Sequence, residues 1–170
     1  ETDWSAPEKP ENVTTILEGL QQVAPGVKFD FVDQGWDPRN MDPKKVAEAA
    51  ARARNADLNI VVAGEYMMRF RWTERTDGED TDRSDISLVG LQNELIEKVA
   101  ASGKPTILVL VNGRPLGVQW AATHLPAIVE AWAPGMYGGQ AVAEILYGKV
   151  NPSAKLAITI PQSVGQLQMI

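Results

Sequence analysis

Leu58-Asn59-Ile60-Val61-Val62-Ala63-Gly64 is a short run of mostly β-branched or small apolar residues, with Asp57 before it and a glycine closing it. A run of this length, with almost no polar alternation, reads as a strand buried on both faces, as in parallel sheets. Thr106 to Val111 repeats the pattern, and Ala127 to Trp132 reads as another strand. Two further strands are expected at Val27 to Val32 and at Leu156 to Ile160, the latter stopped by Pro161.

Helical patterns fill the intervals. Val13, Ile16, Leu17, Leu20 and Val23 recur at helical spacing up to Pro25-Gly26. Asp42-Pro43 is an N-cap with proline at the first helical position, and the Ala-rich Lys44 to Ala56 follows it. Leu91 to Ser102 closes at Gly103, Val118 to Thr123 is short, and Gly138 to Tyr147 stops at Gly148. Strand alternating with helix is the pattern of a layered α/β domain whose sheet is mostly parallel. Residues 1–12, broken by Pro7 and Pro10, read as a lead-in, and 13–170 as one domain.

Composition narrows the function classes. The 170 residues are 44% hydrophobic and 22% charged, enough for a real core. Sixteen Lys and Arg against 22 Asp and Glu give a net charge of −6, which argues against nucleic acid and against an anionic membrane surface. No apolar run approaches the roughly 20 residues of a membrane span. The absence of cysteine removes thiolate nucleophiles and Cys-based zinc sites, and the single His124 cannot build a multi-histidine metal centre. No cofactor motif emerges either. Pro134-Gly135-Met136-Tyr137-Gly138-Gly139 precedes a helix but lacks the Lys-Ser/Thr of a phosphate loop, so its glycines read as a tight turn and close helix-to-sheet packing. The ends, Glu1 and Gln168-Met169-Ile170, carry neither an initiator Met nor a cap, as in a piece of a longer chain.

In parallel sheets, ligands sit beyond the carboxyl ends of the strands, which directs attention to the loops after Ala63, Val111, Trp132 and Ile160. The first, Glu65 to Asp85, far exceeds an ordinary strand-to-helix connection. It holds seven acidic residues and four arginines interleaved with Tyr66, Phe70 and Trp72. Carboxylates and arginines that bond hydroxyls, beside aromatic faces that stack on a ring, suit a sugar.

The motifs carry a resemblance. Ile60-Val61-Val62-Ala63-Gly64-Glu65, Gly78-Glu79 with Arg83-Ser84-Asp85-Ile86, Gln92, Gly103-Lys104-Pro105 and Asn112-Gly113-Arg114-Pro115 occur in order. Ala127 to Trp132 with Pro134-Gly135, Gly138-Gly139, Asn151-Pro152-Ser153, and Thr159-Ile160-Pro161 with Ser163 to Gln166 continue the series. Together they resemble the second domain of glycoside hydrolase family 3. The resemblance implies a three-layer α/β sandwich with a six-stranded, mostly parallel sheet flanked by helices, layered as in flavodoxin. It further implies an upstream (β/α)8-like barrel that carries the nucleophilic aspartate, while this domain contributes the acid/base glutamate. In the family that glutamate lies four residues before an arginine, a spacing matched by Glu79 and Arg83, with Glu74 as rival. Trp4, in a Trp-Ser stretch like one that walls the leaving-sugar site in relatives, Trp72 and Arg83 are the candidate substrate contacts. Glu65 reads as a hydrogen-bonding carboxylate that shapes the loop, and Arg114 as a residue that bonds backbone or barrel rather than sugar. Ala154, Ala157 and Gln162 depart from the Gly, Pro and Arg usual near the family's last strand.

The reading that follows is a retaining exo-acting β-glycosidase, exported to the periplasm or secreted, whose partners are a carbohydrate substrate and its own barrel. A non-catalytic sugar-binding or scaffolding module of the same fold is the competing reading. A flavodoxin-like nucleotide binder is disfavoured by the missing phosphate loop.

Overall fold

The computed structural model describes residues 9–66, 73–78 and 80–168. Among the described residues, five α-helices and three strands follow one another in chain order: α1 (Ile16–Val23), α2 (Pro43–Ala53), β1 (Asn59–Gly64), α3 (Gln92–Ala100), β2 (Thr106–Val111), α4 (Gln119–His124), β3 (Ala127–Glu130) and α5 (Gly138–Leu146). The strands form one parallel sheet in the order β1-β2-β3. Its register sets Gly64 beside Val111 and Leu110 beside Glu130, so all three strands deliver their carboxyl ends to one edge.

Local chemistry explains the helix starts. Thr15 and Glu18 form a reciprocal capping box at α1, and the Asp42 carboxylate accepts the Lys44 amide at 2.9 Å ahead of Pro43. The core lies where α2 and α3 cover the sheet. Val46, Leu108 and Val109 are fully buried, and Ile96 and Leu116 nearly so. β2, flanked by both other strands, is the most apolar of the three, as a central parallel strand must be.

Helices α1 and α5 pack on each other so closely that a Cβ on Gly19 would lie 2.3 Å from the Gly139 carbonyl oxygen. Gly139 is therefore required by helix-to-helix approach, not by the helix-to-sheet packing expected of it.

Two expected strands are not strands. Residues 27–32 and 156–160 make no ladder bonds, and among the described residues the sheet has three strands, not six. Phe31, Leu156 and Ile158 are more than half exposed. Their alternation specifies an extended backbone, but a strand also needs a neighbour to bond, and neither segment lies in the register of β1, β2 or β3.

Candidate active site

The site begins where β1 ends. Gly64 adopts a φ of +151°, and a Cβ there would lie 1.9 Å from the Val111 carbonyl oxygen, so only glycine lets the chain leave the sheet at this point. Gln92, at the start of α3, completes the backbone bonding. Its Oε1 accepts the Gly64 amide at 2.7 Å and its Nε2 donates to the Gly64 carbonyl at 2.9 Å. The next residue, Glu65, is held to β2 by its amide, which donates to Val111 at 3.0 Å. Its side chain has no solvent exposure.

After β2, Asn112 is fully buried, its amide donates to the Trp132 carbonyl and its Nδ2 to the Arg114 carbonyl at 2.7 Å. The loops after β1, β2 and β3 thus meet, as the parallel-sheet rule anticipates. The loop after Ile160 follows no strand.

The long loop folds back on its own base. The Thr76 amide donates to the Tyr66 carbonyl at 2.7 Å, and the Tyr66 amide to Thr76 Oγ1 at 2.8 Å. Asp77 is therefore returned to the sheet edge, where it is 5% exposed. Its Oδ2 accepts the Gly113 amide and its Oδ1 the Gly78 amide at 2.8 Å. Two arginines balance the buried carboxylates. Arg83 Nη1 stands 2.7 Å from Glu65 Oε1, and Arg114 lies 3.2 Å from Glu65 Oε2 and 2.9 Å from Asp77 Oδ1.

Burial, and next the negative charge of Asp77, push the Glu65 carboxyl up to about 7 against the pull of Arg114 and Arg83. Glu130, at the end of β3, is also raised by burial, although it accepts bonds from Trp132 and Asn112.

Arg83 was expected at the sugar. Its guanidinium is engaged with Glu65 and with the Ser87 carbonyl at 2.9 Å, and it also lines a cleft of about 460 Å³. Arg39, Arg75, Thr76, Asp80 and Asp82 line the same cleft. Glu74 is half-buried at its flank, close enough to Arg39 to favour the charged guanidinium. A second hollow of about 200 Å³ lies beyond β1, where the Trp36 and Tyr66 rings meet at 5.4 Å. Glu79, Trp72 and Trp4 lie outside the described residues. Among the described residues no group of three metal-ligating side chains forms.

Sequence reading anticipated Glu65 and Arg114 as bonding groups but gave Asp77 no separate part. The register explains the first two, since neighbouring parallel strands that end in Gly64-Glu65 and Asn112-Gly113-Arg114 place an acid beside a base, but it carries no signal for Asp77.

The model of the glycosyl hydrolase family 3 C-terminal domain matches residues 1–169. The chain belongs to that family. This family 3 domain is 38% identical over 159 residues to a β-xylosidase of Formosa agariphila, covering 93% of this chain and 21% of that protein. It is 34% identical to a periplasmic β-glucosidase of Salmonella typhimurium, covering 96% of this chain and 23% of that one. A solved β-glucosidase of Listeria innocua in complex with isofagomine superposes with a TM-score of 0.79 at 29% identity, over 94% of this chain and 21% of that chain. The family 3 domain thus spans about a fifth of the length of the relatives it matches.

Proposed function

We propose that this domain carries the acid/base of a retaining, exo-acting β-glycosidase of β-glucosidase or β-xylosidase type, which removes terminal β-linked sugars from oligosaccharides or glycosides. Glu79 is the proton donor and Glu74 its rival. Trp4, Trp72 and Arg83 contact the sugar, and the nucleophile sits on a (β/α)8-like barrel of the full-length protein. The reading is supported by the family membership and by one observation above all. The segments on either side of Glu79 are fastened just beyond the carboxyl end of β2, Asp77 to Gly113 and Arg114 on one side and Thr81 to Arg114 on the other.

The chemistry asks for two carboxyl groups about 5–5.5 Å apart, one to attack the anomeric carbon and one, protonated, to donate to the leaving oxygen. A donor must keep its proton near neutral pH, which low solvent access or a neighbouring carboxylate achieves. Such a domain alone holds half of the pair and is inactive. The mechanism needs no cofactor. The enzyme acts in the periplasm or outside the cell, a reading supported by the periplasmic Salmonella relative. Among the described residues no helix is long and apolar enough to cross a membrane.

The test uses the full-length enzyme. Glu79→Ala should lower turnover of alkyl glycosides by about 10²- to 10⁴-fold while sparing the first step on dinitrophenyl glycosides, whose leaving group needs no proton. Azide, a nucleophile that needs no general base, should restore the second step. If Glu74→Ala gave this signature and Glu79→Ala did not, the donor would be Glu74.

A further inference from the structure

We propose that Arg114 is a positioning residue for the turn that carries Glu79, its guanidinium gripping both flanks of that turn while Glu65 and Asp77 hold the guanidinium itself. The proposal rests on the reading of Glu79 as proton donor.

The geometry is specific. Arg114 Nη2 donates to the Thr76 carbonyl at 3.2 Å and to the Thr81 carbonyl at 2.9 Å, so one nitrogen ties together the residues that bracket 77–80. The same nitrogen reaches Asp77 Oδ1 at 2.9 Å and Thr81 Oγ1 at 3.3 Å. Nε faces Asp77 Oδ1 and Glu65 Oε2, each at 3.2 Å. With 18% of its side chain exposed, Arg114 sits under the loop rather than in solvent.

The turn needs such support. Gly78 has a φ of +101° and Asp80 of +58°, so both residues adjoining Glu79 occupy the left-handed region, one of them with a side chain. Backbone of this kind persists where its surroundings over-determine it. Locally, Thr81 Oγ1 closes the turn by donating to the Gly78 carbonyl.

Arg114 is itself immobilised. It follows Gly113, whose amide bonds Asp77, its carbonyl accepts Asn112 Nδ2, and Pro115 comes next. A rigid lever therefore runs from the end of β2 to the flanks of the donor. Lysine cannot reproduce it, because a point ammonium lacks the planar fork that reaches two carboxylates and two carbonyls together.

A group of this kind acts on the proton-transfer step rather than on substrate affinity. In the full-length enzyme, Arg114→Ala should cut kcat/KM for an alkyl glycoside about 100-fold more than for the dinitrophenyl glycoside, the scale of loss for a small misplacement of a reacting group. Added guanidinium ion should restore part of that difference, and Asp77→Asn should show the same leaving-group bias more weakly. Glu79→Ala is run beside them. If it shows the bias while Arg114→Ala slows both substrates equally, Arg114 is merely structural and the proposal falls, with the donor reading intact. If Glu79→Ala lacks the bias, the donor reading falls and takes this one with it. Should Arg114→Ala fail to fold, Arg114→Lys and Asp77→Asn decide on the same criterion.

Discussion

Glu65 should make the stability of this domain fall as pH rises through the neutral range. Its carboxyl titrates near 4.5 when solvated and is pushed up to about 7 in the fold. Between those values the folded chain binds the proton that the unfolded chain has released, so raising the pH favours unfolding. Each tenfold change in proton affinity is worth about 1.4 kcal/mol, which puts the full effect at about 3 kcal/mol. About 2.5 kcal/mol of it falls between pH 5 and pH 8. Because the side chain has no solvent exposure, water does not screen this difference away. The perturbation is Glu65→Gln, read by urea unfolding at a series of pH values. The substitution shifts the whole curve by leaving Arg83 and Arg114 with one fewer anion, so the diagnostic quantity is the slope and not the offset. Wild type should lose about 2 to 3 kcal/mol more than Glu65→Gln from pH 5 to pH 8. Parallel profiles for the two proteins would refute the reasoning, because they would mean that Glu65 is ionised throughout and that its two arginines outweigh its burial.

Two further outcomes concern the packing that presents the site. Gly139→Ala should destabilise the domain by about 1–3 kcal/mol, since its Cβ would fall 2.1 Å from the Thr15 carbonyl oxygen and force α1 from α5; chemical denaturation measures it. Leu108→Ala, at a fully buried position in the central strand, should cost about 2–5 kcal/mol in the same assay and leave the pH slope due to Glu65 unchanged.

The legible part of the fold was the part decided locally or by burial on both faces. β2 could be read because a central parallel strand must be apolar nearly throughout, and α2 because Asp42-Pro43 is a start signal with its own hydrogen bond; β1 was expected to be buried on both faces but lies at an edge of the described sheet, with Val62 47% exposed. Val27 to Val32 and Leu156 to Ile160 misled because alternation reports an extended backbone, whereas pairing depends on residues far along the chain. Gly139 could be read as a point of close approach, but its partner, 120 residues earlier at Gly19, could not. At the site, Glu65 and Arg114 were each legible as bonding groups through the family resemblance. That one guanidinium also reaches Asp77, 37 residues away, depends on how the loop returns to its base, and no local pattern encodes that return.

The buried charges themselves argue against a loop that is merely solvated. Taking Glu65 and Asp77 out of water, with Arg114 and Arg83 nearby, costs solvation that their mutual attraction barely repays, so a cluster of this kind is a poor way to gain stability. Apolar side chains of similar volume would hold the strand ends together as well. What they would not do is choose one loop geometry. The cluster has few ways to satisfy its donors and acceptors at once: Arg114 must face two carboxylates and two carbonyls, Gly113 must meet Asp77, and Arg83 must reach both Glu65 and Ser87. A loop that slipped by one residue would leave buried charge unpaired, at a cost of about 3–5 kcal/mol. The acidity concentrated between Glu65 and Asp85 therefore serves placement at its buried base, where Glu65 and Asp77 are spent on arginines. In the proposed mechanism Glu79 is the carboxylate of this loop that does chemistry.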